Sequence, residues 1–164
     1  MNATGALLVA FLLAGCSTSR IEQGVFYSPK GYHVTLPGDG WAVLPGGAAE
    51  LELQRKNPAG GILADATCDG KTAGRPLSVL ARHLTFGLGQ RETVESVQND
   101  AGGRQTERTV VRGTMDGTEV MVEAVVVKDE RCVYDFVYVA PASAFEAGRG
   151  DFQAFVASFA GATR

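Results

Sequence analysis

From residue 32 onward the chain falls into short apolar–polar alternations separated by Gly and Pro. Tyr32, Val34 and Leu36 alternate with polar residues and stop at Pro37-Gly38-Asp39-Gly40. Residues 41–44 follow and stop at Pro45-Gly46-Gly47. Residues 49–54 place Leu51 and Leu53 on one face, and residues 62–68 do the same for Ile62, Ala64, Ala66 and Cys68. Period two with such punctuation predicts four strands. The period then changes. Arg75-Pro76 opens a helix over 76–87, because proline at the first helical position gives up an amide that would have no partner there. Leu77, Leu80, Ala81, Leu84 and Leu88 form its apolar stripe, and Gly87 and Gly89 end it.

A meander follows: strands over 92–98, 104–115, 118–128 and 132–140, with a loop at 99–103. Asp116-Gly117 has the residue types of a two-residue hairpin turn. The turn around Asp129-Glu130 admits two registers. One puts Glu123 on the face of Tyr134 and Phe136, and the other aligns it with Asp135. Pro141 precedes a terminal helix over 143–160, with Phe145, Phe152, Phe155 or Val156, and Phe159 on one side; Gly148 and Gly150 are expected to break its first turn. In the last strand Cys132, Tyr134, Phe136 and Tyr138 line one face. Val133, Val137 and Val139 line the other, interrupted by Asp135. A strand apolar on both sides belongs inside a sheet covered on both sides. With one helix before the meander and one after, the expected fold class is α+β, an antiparallel β-sheet with a helix on each face.

The first residues break this pattern. Residues 6–14 are an unbroken apolar run about half the length of a membrane span, and they end in Leu13-Ala14-Gly15-Cys16. This resembles the bacterial lipobox, in which a peptidase cuts before the cysteine and the thiol carries diacylglycerol. The resemblance implies a signal peptide over 1–15 and lipidation at Cys16, with acyl chains such as palmitate holding the protein to the membrane. Ser17, in place of Asp, points to the outer membrane, facing the periplasm. Residues 16–29 are then the lipidated tether, and 30–162 a single domain.

Composition narrows the function classes. An apolar share of 45% in 164 residues excludes disorder, and 15 basic against 18 acidic side chains excludes a nucleic-acid footprint. With Cys16 carrying lipid, Cys68 and Cys132 are the two cysteines left, and in an oxidising periplasm they are expected to form a disulfide, both facing apolar core.

Candidate chemistry thins out on inspection. Gly70-Lys71-Thr72 ends like a phosphate loop, but the upstream glycine position is Asp65. Gly87-Leu88-Gly89 begins like a dinucleotide fingerprint, but the third glycine is Glu92. His33 and His83 sit on different elements, and the spacing of Asp65 and Asp69 fits no calcium loop. No catalytic, cofactor or metal residues are therefore assigned. Arg104, Arg108 and Arg112 share a strand face. Arg112 is expected opposite Met121, with Glu119 and Glu123 diagonal to it, which predicts cross-strand ion pairs on a solvated face rather than an anion site.

Tyr32-His33-Val34-Thr35-Leu36-Pro37-Gly38-Asp39-Gly40-Trp41, the central helix, the meander, and Tyr134, Phe136, Tyr138, Ala140-Pro141 leading to Phe152, Phe155 and Phe159 resemble the PsbP-like family, including lipoproteins of the DcrB type. The resemblance covers about residues 30–160. It implies an α/β/α sandwich and a non-catalytic accessory module supporting an envelope protein complex. The alternative is a small-ligand carrier or sensor with a pocket beside the aromatic face of the last strand.

Overall fold

The computed structural model describes residues 18–101 and 103–161. Cys16, the segment 1–15 and Ser17 lie outside the described residues. Among those described, β1 (Arg20–Glu22), β2 (Val25–Tyr27) and β3 (His33–Thr35) form a three-stranded sheet in that order. The main sheet has seven strands. In spatial order these are β4 (Trp41–Val43), β5 (Leu51–Lys56), β6 (Ala59–Thr67), β10 (Val133–Pro141), β9 (Thr118–Lys128), β8 (Arg104–Met115) and β7 (Gly89–Ala101). Each neighbouring pair is antiparallel. Helices α1 (Gly70–Ala73) and α2 (Leu77–Leu84) connect β6 to β7, and α3 (Phe145–Ala157) follows β10.

The two-sided apolar pattern of β10 places the layers. Tyr134, Phe136 and Tyr138 are buried with Phe145, Phe152 and Phe155 of α3. Val133, one step out of phase, joins Val126 of β9 and Leu77, Leu80 and Ala81 of α2 on the opposite face. A helix therefore covers each face, as expected. The rings on the α3 side make oriented contacts: Tyr138 stacks on Phe145 at 5.2 Å, and Phe136 meets Phe155 edge-on at 6.1 Å. Such pairs add about 1 kcal/mol each beyond the area they bury.

Three boundaries differ from expectation. First, residues 20–29 are not tether. Phe26, on β2, is 2% exposed and packs in the same core as Tyr32 and Val34. Three-residue strands carry too little periodicity to be read locally; pairing in the order β1–β2–β3 and burial of Phe26 beside Tyr32 make them. Second, β7 runs through the expected loop to Ala101, which pairs with Arg104. Third, Gly148 and Gly150 do not break α3. Gly148 instead lets the helix approach β10: a Cβ there would lie 2.4 Å from the Tyr138 hydroxyl, which donates to the Phe145 carbonyl. A second clamp holds the same helix, since Trp41 Nε1 and Arg55 Nη1 both donate to Asp151, at 3.0 and 2.9 Å.

The β6–β10 register explains the cysteines. Thr67 pairs with Val133, so Cys68 and Cys132 stand opposite each other one step past the ladder. Their Cα atoms are 4.1 Å apart and the sulfurs are bonded, as expected. Cys132 is buried, but Cys68, one residue past the end of β6, is exposed instead of facing core.

Candidate functional site: a charged groove beside an open sheet edge

Glu123 interrupts an otherwise apolar stretch of β9. The β9–β10 register puts it opposite Tyr138, on the face covered by α3, so the first of the two registers is the one adopted. It is fully buried. A buried carboxylate needs partners, and three donate to it: Arg149 Nε at 2.8 Å, Arg108 Nη1 at 3.2 Å and Gln153 Nε2 at 3.4 Å. Both guanidinium groups also bind Glu95 of β7. Two cations and two anions thus alternate in a ring joining three strands to α3. Burial pulls the Glu95 carboxyl upward, but its bonds to Arg108 and Arg149 outweigh this and hold it below the usual carboxylate range. Arg112 stands opposite Met121 as expected. The ion pairs, however, form at Arg108 under a helix rather than on a solvated face, because Glu123 shares the aromatic face.

Beside this ring the sheet runs out from under α3. Val97, Arg108 and Val125 lie in register across β7, β8 and β9. With Phe152 and Val156 they line an open, mostly apolar groove of about 490 Å³. β7 forms its outer wall and is the last strand of the sheet. Among the described residues, one row of its backbone groups therefore faces no strand, and Val94 and Val97 are 54% and 50% exposed. Long edges of this kind are templates for pairing. The expected pocket beside Tyr134 and Tyr138 is not open: both tyrosines are buried and the space is filled by Phe145, Phe152 and Phe159.

On the α2 face, Asp135 of β10 stands opposite Asp65 of β6. Burial, reinforced by Asp65, pushes its carboxyl up to about 6. A raised carboxyl favours the folded state while it is protonated. That contribution is complete below the unfolded value near 4 and is lost as pH rises through about 6. The difference of about two units corresponds to about 2–3 kcal/mol. Asp135→Asn is expected to gain about 2 kcal/mol at pH 7.5 and to flatten the pH dependence. Urea unfolding at pH 4 and pH 7.5 checks this, and an unchanged pH dependence in the variant would contradict it.

The other sequence candidates lie apart. His33 and His83 are exposed on β3 and α2. Gly70-Lys71-Thr72 is α1, capped by the Asp69 carboxylate accepting from the Thr72 amide. Gly89 begins β7 instead of ending a phosphate-binding turn. Among the described residues, no three His, Cys, Asp or Glu side chains converge as a metal site, and no helix is long and apolar enough to cross a membrane. The charged ring was missed from sequence. Its one local signal was the lone Glu123 within a run of valines.

No family model and no curated protein sequence matches this chain. Solved structures do. A protein of Bacteroides thetaiotaomicron superposes with a TM-score of 0.60 at 11% identity, over 86% of this chain and 49% of that one. The present chain thus spans about half of that protein's length. LpqN of Mycobacterium tuberculosis, a protein involved in cell envelope biogenesis, gives 0.61 at 14% identity, over 83% and 87% of the two chains. The cyanobacterial PsbP (CyanoP) of Synechocystis gives 0.58 at 12%, over 94% and 98%. At these identities the likeness is one of architecture, and the antiparallel sheet between α2 and α3 is the PsbP-like fold.

Proposed function

We propose that the protein is a lipid-anchored, periplasm-facing binding module that supports an envelope protein complex and performs no catalysis of its own. The observation that carries this reading is the exposed β7 edge with its apolar groove, on a domain preceded by Leu13-Ala14-Gly15-Cys16. The anchor is the thioether-linked lipid on Cys16, and Ser17 directs the protein to the outer membrane. Two further facts support it. The Cys68–Cys132 disulfide suits an oxidising compartment. LpqN, which shares the fold, is involved in cell envelope biogenesis. A partner strand added to β7 would find main-chain donors and acceptors, with Val94 and Val97 beside them, which is the usual chemistry of strand addition.

Mild crosslinking of the intact envelope tests the reading. A discrete set of envelope proteins should be recovered with the native chain. The Val94→Lys/Val97→Lys variant should lose them while keeping its melting temperature, since both side chains are exposed. Recovery of no partner, or of the same set with the variant, would refute it.

A further inference from the structure

The fold shortens the tether. A tether over 16–29 would let the domain swing some 45–50 Å from its lipid at full extension. Instead β1 begins at Arg20. From Cys16 to Arg20 the chain can reach at most about 14 Å, whereas a domain of this size is about 40 Å across. Whatever surface surrounds β1 must therefore lie near the bilayer.

That surface is mixed: the Arg20–Glu22 pair is exposed, and three apolar side chains are exposed beside it. Ile21 of β1 and Val43 and Leu44 at the end of β4 are 44%, 43% and 40% exposed. With Pro45 they line one shallow depression of about 300 Å³. The carboxylates at its floor are engaged within the fold: Glu50 accepts from the Ser28 hydroxyl at 2.9 Å and Glu52 from the Ala49 amide at 3.1 Å. Arg20 at the rim is paired with Glu22 at 2.9 Å.

We infer that Ile21, Val43, Leu44 and Pro45 form the membrane-contacting face of the domain, seated in the interface of the leaflet that holds the Cys16 lipid. This rests on the lipid-anchor reading and adds an orientation to it. The β7 edge, at the far end of the main sheet from β4, is then held away from the bilayer and free for a protein. Apolar side chains at such a surface enter only about 5–10 Å, to the boundary of headgroups and acyl chains.

The test uses the full lipidated chain, purified from membranes and reconstituted in phosphatidylethanolamine–phosphatidylglycerol vesicles. Trp41 is the single tryptophan of the sequence. In a Trp41→Phe background, Leu44→Trp emission should fall about twofold with lipids brominated high on the acyl chain, where interfacial side chains reside. Val97→Trp emission should not change. The unaltered chain supplies a second reading, independent of how those variants fold: a photoactivatable phospholipid in the same vesicles should label residues 41–47 and spare residues 89–101. Mass spectrometry of Cys16 separates the two ideas. A Cys16 without acyl chains sinks both the anchor and the orientation. An acylated Cys16 with no label on residues 41–47, or with label on 89–101, overturns the orientation alone.

Discussion

Loss of the Cys68–Cys132 bond is expected to lower the unfolding free energy by about 4 kcal/mol, the chain-entropy value for a loop of this length. The two cysteines are 64 residues apart in sequence. Between them lie α1, α2 and strands β7, β8 and β9. The bond sits at the end of the β6–β10 ladder, the pairing that joins the N-terminal strands of the main sheet to the meander. In the reduced unfolded chain those two strands must find each other across the whole loop. In the oxidised one they start adjacent. Asp129 prepares the same corner: burial works against its charge, but the Cys132 and Arg131 amides and the Tyr134 hydroxyl donate to it and hold its carboxyl below the usual range. Urea unfolding of the Cys68→Ser/Cys132→Ser variant against the oxidised parent measures the effect. The parent in reductant should show the same loss. A difference below about 1 kcal/mol would show that the reduced chain keeps this corner closed without the bond.

Glu123→Gln is the second large effect, an expected loss of about 3 kcal/mol. The substitution preserves shape but removes the buried anion between Arg108 and Arg149, leaving both to share Glu95, with only the exposed Glu146 as a further partner of Arg149. Removing one partner of a buried pair leaves the other charge uncompensated, which is why such changes cost about 3–5 kcal/mol. The lower end applies because Arg108 and Arg149 side chains are 30% and 24% exposed, so water relieves part of the mismatch. A double-mutant cycle with Arg149→Gln should show coupling of about 1–3 kcal/mol. Additive losses would mean that Glu123 and Arg149 do not act as one unit.

Local chemistry made much of the main sheet legible. Asp116 and Gly117 both adopt positive φ, at 50° and 78°, so the two-residue turn was written in residue types that tolerate that conformation. The register it sets carried Arg112 to Met121 as expected. The cysteine pairing was legible for a similar reason, since two residues allow one intrachain bond, although the parity argument that put both on the core side holds for Cys132 alone. The candidate site was much less legible. Glu95, Glu123 and Arg149 come from three separate elements, and nothing within one segment shows that they meet. Even the open edge depended on strand order: β7 is polar apart from Val94, Val97 and Ala101, but only its place at the end of the sheet among the described residues makes it an edge.

What the sequence determined by itself was therefore whatever depends on neighbours in the chain: the turns, the helical stripe of α2, the two-sided apolar pattern of β10 and, from that, a sheet with a helix on each face. Tertiary structure decided the rest. It made β1 and β2 part of the domain, because Phe26 is buried in a core shared with Tyr32, Val34 and the aromatic face of β10. It turned Gly148 from a helix breaker into a contact point, because the Tyr138 hydroxyl occupies the space a side chain would fill. It placed Glu123 inside, because the β9–β10 register and not its own polarity chose its face. Each of these outcomes rests on a contact between residues distant in sequence, and the free energy of such a contact is absent from any local window.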